Sequence, residues 1–150
     1  MPHLLERSTW IARPIAEVFA FFADAGNLER ITPPELRFRI TSRLPIEMRK
    51  GAIIEYRLAL FGVPFGWRTV IDHWEPPYRF VDRQLRGPYK QWVHTHLFKP
   101  ERDGTRMDDR VDYRLPLGPL GLPAPPLVRH QLKHVFDYRE ATIQRLLVER

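Results

Sequence analysis

One stretch of the chain alternates so regularly that it decides which of its side chains face inward. Every second residue from 106 to 114 is charged: Arg106, Asp108, Arg110, Asp112 and Arg114. Strand side chains point to opposite faces with a period of two, so this charged set must face water and Asp109 lies on the inner face. A carboxylate on an inner face is costly unless it is paired or lies beside a wet hollow. The pattern therefore predicts a lined cavity rather than a dry core.

The preceding stretch carries two histidines on one face. Alternation places four residues together on the inner side: Trp92, His94, His96 and Phe98. We expect the two stretches to form a hairpin that turns near residues 102–104, where Gly104 supplies a turn residue. The predicted cross-strand pairs are Phe98 with Thr105, His96 with Met107, and His94 with Asp109.

The rest of the chain predicts one strand, two short helices, six further strands and a long helix. The expected strands are 3–12, 36–42, 52–61, 64–74, 79–85, 90–98 and 105–115. Pro14 is predicted to open the first helix, 27–31 to form a second, and 126–148 to form an amphipathic C-terminal helix. Consecutive strands with tight turns predict an antiparallel sheet, because parallel neighbours need long crossovers. The fold class is therefore α+β, with the last helix covering a curved seven-stranded sheet.

Composition narrows the classes of function. The chain has 150 residues, a formal charge of +6 and no cysteine, and we expect a single domain over 1–150. Its basic residues are mixed with acids and form no recognised nucleic-acid-binding motif, so we expect no nucleic-acid partner. No basic leader followed by an apolar run is visible, and no uncharged stretch is long enough to cross a bilayer. We therefore expect a cytoplasmic protein without stable membrane anchoring.

The chain resembles the START/Bet v 1-like superfamily, also called SRPBCC proteins, over nearly its whole length. The resemblance rests on the order of elements, on the long closing helix and on Arg13-Pro14-Ile15-Ala16-Glu17-Val18-Phe19 at the first helix. Within the superfamily the chain is similar to a bacterial group of ligand-binding SRPBCC domains. The segments that carry this likeness are 27–34, 82–89 and the alternating residues of 92–98. The resemblance implies a helix-grip fold with a hydrophobic-ligand cavity between the sheet and the C-terminal helix.

The candidate ligand-binding residues combine apolar walls with a few polar groups. Apolar and aromatic contacts are expected from Tyr56, Trp67, Trp92, Met107, Val111, Leu132 and Phe136. Polar orientation is expected from Asp82, Gln84, His94, His96 and Asp109. Asp82 and Gln84 are placed inward, but a slip of one residue would put Val81, Arg83 and Leu85 inside instead. The uncharged loop 115–123 is interpreted as a lid, with a plain connection as the alternative.

Metal binding is the first alternative for the two histidines. A His-x-His on a strand could reach one ion with a third ligand from Asp109, Asp82 or His73. No cysteine or second acidic motif accompanies it, so we favour hydrogen-bonded imidazoles and assign no metal and no cofactor.

The functional hypotheses come from three classes. We favour a binding protein for a hydrophobic or amphipathic small molecule, such as a lipid, quinone or polyketide-like compound. The second hypothesis is a small cyclase, dehydratase or isomerase in which His94 and Asp109 handle a proton, although no catalytic residue is assigned. The third is a co-chaperone-like module with a protein partner, and the polar groups of the inner face argue against it.

Overall fold

The computed structural model describes residues 2–116 and 125–149. Its elements are β1 (Pro2–Ile11), α1 (Ile15–Ala23), β2 (Arg39–Ile40), β3 (Ile53–Leu60), β4 (Val63–Glu75), β5 (Arg79–Arg86), β6 (Gln91–Glu101), β7 (Gly104–Arg114) and α2 (Pro125–Leu147). Two short 3₁₀ helices, Ala25–Leu28 and Pro34–Leu36, follow α1. In the described part of the chain, no helix is long and apolar enough to span a membrane.

The strands form one antiparallel sheet in the order β1-β7-β6-β5-β4-β3-β2. β1 thus pairs with β7, the last strand in the sequence, and forms one edge of the sheet. β2 forms the other edge. The long helix α2 buries one face against this sheet, through Val128, Leu132, Val135, Phe136 and Ile143. This arrangement confirms the predicted helix-grip architecture.

The β6–β7 hairpin differs from the predicted register by two residues. His96 lies opposite Asp109 and His94 opposite Val111. The turn consists of only Arg102 and Asp103, both at positive φ, so the strands continue to Glu101 and Gly104. A shift of two preserves the facing of every side chain, and Asp109 is therefore inward as predicted.

Gly104 closes this hairpin against the first strand. A Cβ at this position would lie 2.5 Å from the carbonyl oxygen of Ile11 and 2.8 Å from the ring of Trp10. The neighbouring Thr105 is fully buried and donates to the carbonyl of Arg13 at 2.8 Å. Glycine at 104 therefore allows the close approach that anchors the hairpin beside the start of α1.

The segment before β2 is the main departure from the predicted strands. A strand was expected over 36–42, but only Arg39–Ile40 pairs with β3. The short helix Pro34–Leu36 takes up the first residue of the expected strand, and Arg37 after it has positive φ, which is incompatible with a strand. Leu36, at the end of that helix, is thereby turned into the core against α2.

The core has a dry end and a hollow end. At the dry end α1 and the last turns of α2 bury Phe19, Phe98, Met107 and Ile143. At the other end the first half of α2 spans the sheet over Leu58, Trp67 and Tyr89 and leaves a cavity. The sheet curvature therefore places the cavity beneath the middle of α2.

Candidate functional site

The cavity between the sheet and α2 has a volume of about 130 Å³. One water molecule needs only about 10–15 Å³ on this measure, so the space is large enough for a ligand of many atoms. Aromatic rings form a large part of its wall: the Tyr56 and Trp67 rings stack with centroids 5.6 Å apart, and Trp92 meets Trp67 edge-on at 5.4 Å. Trp67 Nε1 donates to Thr69 Oγ1 at 2.9 Å, so this indole N–H is satisfied within the wall.

Two imidazole–carboxylate pairs form the polar part of the cavity. Nε2 of His94 lies 2.8 Å from Oδ1 of Asp109, and Nε2 of His96 lies 2.7 Å from Oδ2 of Asp82. The pairs come from β5, β6 and β7, whose pleat directs all four side chains to the inner face. His96 lies directly opposite Asp109 in the hairpin, whereas His94 reaches Asp109 diagonally. The His96 ring therefore also approaches Asp109.

The two imidazoles are held in a stack of flat rings. His94 and His96 have centroids 3.7 Å apart at an interplanar angle of 25°, and the Phe80 ring covers the other face of His96 at 3.9 Å. Neither imidazole can turn without breaking both a hydrogen bond and a stacking contact. The polar groups of the cavity are therefore fixed in position before any ligand arrives.

Charge on the two carboxylates is stabilised by their neighbours. Burial raises the pKa of Asp82, but the His96 hydrogen bond and the positive charges of His96, His94 and Arg139 outweigh it and hold the pKa below its usual range. Burial likewise raises the pKa of Asp109, and the hydrogen bond and charge of His94 again prevail. Both groups are therefore carboxylates at neutral pH.

His96 has a neutral ring with one nitrogen that no hydrogen bond satisfies. Burial lowers the pKa of His96 and the charge of His94 lowers it further, outweighing the opposing effect of Asp82 and Asp109. In the neutral ring Nε2 donates to Asp82, which leaves a lone pair on Nδ1; this atom is buried without a hydrogen bond. Nδ1 lies 3.5 Å from Oδ1 of Asp109, so a proton taken up there would face a carboxylate.

Most of the sequence-predicted site residues line this cavity. They are Tyr56, Trp67, Asp82, Trp92, His94, His96, Leu132 and Phe136. With Asp82 in the wall, the alternative register does not hold, and Arg83 pairs instead with Asp72 at the surface at 2.7 Å.

Four predicted residues do not line the cavity. Asp109 lies behind the two imidazoles as their partner, and Met107 and Val111 are packed into the core. The amide of Gln84 holds the turn after β5, donating to the carbonyl of Tyr89 at 2.7 Å and accepting from its N–H at 3.2 Å. These four side chains lie outside the lining of this cavity, and their contact with a ligand stays a prediction.

Arg139 is the charged cavity residue that sequence reasoning missed. It lies on α2 and contributes to the wall beside Phe136. Its position is four residues after Val135 and three after Phe136, both buried, and residues at these spacings share one helix face. The helical period alone, applied without regard to charge, would have placed Arg139 over the cavity.

The same cluster offers ligand atoms for a metal ion. Ligand atoms of Asp82, His94 and His96 lie within 4.8 Å of one another. However, both Nε2 atoms already bond to carboxylates, and the rings are stacked almost parallel. The in-plane lone pairs of stacked rings do not converge on one point, so this arrangement favours hydrogen-bonded pairs over a tetrahedral site.

Fold and cavity together have the arrangement of a helix-grip protein. Residues 11–137 match the model of the polyketide cyclase/dehydrase and lipid transport family. The chain belongs to that family.

Solved structures repeat the whole fold at low sequence identity. The Zhui aromatase/cyclase from Streptomyces sp. R1128 has a TM-score of 0.72 at 16% identity, over 98% of this chain and 92% of that one. A START superfamily protein from Mycobacterium smegmatis has a TM-score of 0.71 at 13% identity, over 98% of both chains. Ara h 8.0201 has a TM-score of 0.70 at 14% identity over the full length of both chains. A comparison with curated protein sequences finds no significant match.

Proposed function

We propose that this protein binds a hydrophobic or amphipathic small molecule, such as a lipid, quinone or polyketide-like compound, in the cavity under α2. The observation that carries the proposal is an aromatic cavity with a rigid polar group at one place in its wall. The aromatic wall would remove the apolar body of the ligand from water, at about 25 cal/mol per Å² of apolar surface buried. The fixed polar groups would orient its polar part.

The His94–Asp109 pair would contribute to this orientation. Its two side chains are each only 5% exposed, so a ligand group that reaches His94 exchanges water for a preorganised partner. His94→Gln keeps a side chain that hydrogen-bonds but removes the imidazole. We expect this variant to fold and to retain the bound molecule less well.

Native mass spectrometry of protein purified gently from its own host tests the proposal. The wild-type protein should carry an additional mass that is lost on denaturation, and the occupied fraction should fall in His94→Gln. His130→Gln changes an exposed histidine on the same helix that covers the cavity and serves as the matched control. A wild-type protein without bound molecule, which also fails to bind apolar probes, would contradict the proposal.

A second candidate function is catalysis in the same cavity. It is favoured by the buried His94–Asp109 pair, since a carboxylate that fixes an imidazole is a common arrangement for proton transfer. It is also favoured by the structural similarity to a protein described as an aromatase/cyclase. If the pair is catalytic, His94→Gln should abolish turnover of the identified ligand and leave its binding largely intact. Loss of binding together with unchanged ligand chemistry would favour the binding protein.

A further inference from the structure

Arg139 has hydrogen-bond donors that the protein does not satisfy. Its Nε atom is buried and has no partner, and no hydrogen bond or ion pair joins its guanidinium to the described residues. Its recorded contact is the Phe136 ring, 5.1 Å from the guanidinium carbon on the same helix. A guanidinium carries five N–H donors in a fixed plane and no acceptor. Because Arg139 lines the cavity, a group inside the cavity can supply the missing acceptor.

The positive charge of Arg139 is balanced by nearby negative charges, although its hydrogen-bond donors lack acceptors. Asp109, Asp82 and Tyr56 are the titratable groups that act on it electrostatically from the facing strands. The two negative charges of Asp82 and Asp109 already exceed the single positive charge of Arg139. One proton shared by His94 and His96 is enough to compensate the difference. A ligand carboxylate would add a third negative charge to this buried group, and an ammonium group would face the guanidinium. The acceptor that suits the site is therefore uncharged.

We propose that Arg139 donates hydrogen bonds to an uncharged carbonyl oxygen of the ligand, as found in a ketone, quinone or lactone. This inference rests on the proposed binding function and specifies which chemical class the cavity selects. The carbonyl oxygen has two lone pairs, so it can accept from two guanidinium N–H groups without altering the net charge of the cluster. The aromatic wall around Trp67 and Tyr56 faces the ring or chain that carries the carbonyl.

Four naphthalene compounds of nearly equal size separate head-group chemistry from apolar burial. They carry an acetyl, an ethyl, a carboxylate or an aminomethyl group at the same ring position. At pH 7.5 isothermal titration calorimetry should show acetylnaphthalene binding about tenfold more tightly than ethylnaphthalene, because a hydrogen bond from a charged donor is worth roughly this factor. The carboxylate and the ammonium compound should both bind more weakly than the ketone.

Arg139→Met tests the assignment to this residue, because methionine keeps an unbranched apolar stem and loses every donor. The ratio between the acetyl and ethyl compounds should fall to about one, with ethylnaphthalene affinity within about twofold of the wild-type value. Arg129→Met, at an exposed position of the same helix, should leave the ratio unchanged. If Arg139→Met fails to fold, the ratio between the acetyl and ethyl compounds is compared between the wild-type protein and Arg139→Lys. Lysine keeps the charge but not the planar fork of donors, so this ratio should be lower in the variant.

The outcomes separate this inference from the function on which it rests. Equal binding of the acetyl and ethyl compounds would overturn the carbonyl assignment and leave small-molecule binding intact. Tightest binding of the carboxylate would show that Arg139 is an anion site and would also overturn the assignment. Absence of binding by all four compounds, with no copurified molecule in native mass spectrometry, would overturn the binding function itself.

Discussion

The protein contains the same chemical contact in two very different surroundings. His94 and Asp109 meet at 2.8 Å with both side chains 5% exposed, whereas His134 of α2 and Glu35 of the Pro34–Leu36 helix meet at 2.5 Å with side chains 53% and 57% exposed. The surface pair is the shorter, yet water competes for both of its partners and salt screens their charges. The buried pair has no such competition, and its loss leaves a polar group without a partner. Distance alone therefore does not rank these contacts; burial does.

The largest expected effect is that of breaking the buried pair from its carboxylate side. Asp109→Ala leaves His94 without its partner and removes the charge that faces His96, so we expect the free energy of unfolding to fall by about 3 kcal/mol. Asp109→Asn keeps an oxygen acceptor of the same shape and should cost clearly less. Urea denaturation midpoints of the two variants measure the difference.

The surface counterpart of this experiment is Glu35→Ala, for which the denaturation midpoint should not change measurably. If Asp109→Ala proved as harmless as Glu35→Ala, the buried pair would not contribute to stability. The contrast between the two sites would then be wrong.

The second expected effect is a dependence of stability on pH that comes from the buried pairs. A histidine whose pKa is lowered by folding stays neutral while the unfolded chain takes up a proton, so stability falls as the pH falls below about 6.5, the ordinary histidine pKa. The lowered pKa values of Asp82 and Asp109 contribute stability above about pH 4, which is lost as the pH falls through their folded values. Stability should therefore decrease toward acid in two successive ranges.

His96→Gln separates the two ranges. The glutamine amide can still donate to Asp82 but does not titrate, so the decrease in stability below about pH 6.5 should be reduced while the carboxylate range remains. Urea midpoints measured from about pH 3 to 8 provide the test, with His134→Gln at the exposed pair as control. An undiminished slope in His96→Gln would assign the proton uptake to another group.

Alternation predicted the inner face correctly and the register incorrectly, for separable physical reasons. Facing depends only on the period of two, which the charged row from Arg106 to Arg114 makes unmistakable. Register depends on the turn, and the two-residue turn at Arg102 and Asp103 requires positive φ at residues that are not glycine. Without a glycine in the turn the sequence does not indicate this conformation, so the predicted register was shifted by two residues.

The site was predictable where it follows the strands and not where it depends on the helix. His94, His96 and Asp82 were found because polar residues stood out on an apolar strand face. Arg139 was missed because α2 carries many charged residues, among which a single arginine does not stand out. Only its spacing from Val135 and Phe136 shows that it lies on the buried stripe. Polar residues at core spacing on a helix thus merit the same attention as polar residues on an inner strand face.

The smallest expected effect concerns the exposed pair itself. A hydrogen bond to its own backbone N–H and then the contact with His134 lower the pKa of Glu35, so the contact exists mainly above about pH 4. Glu35 precedes Leu36, which lines the cavity, and His134 precedes Val135, which lines it from the other side. The pair therefore joins two walls across the surface without stabilising the fold measurably. We expect Glu35→Gln to leave the urea midpoint unchanged at both low and high salt.

The same variant can still alter the rate at which a bound probe leaves, since the two walls no longer attract each other. Release of acetylnaphthalene, followed by stopped-flow fluorescence of the cavity tryptophans, should be up to about twofold faster in Glu35→Gln at low salt, with the difference disappearing at high salt because an exposed ion pair is screened. A large change in the urea midpoint, or a rate difference that persists at high salt, would show that this contact is not governed by solvent. The contrast between the exposed and the buried pair would then need another cause than burial.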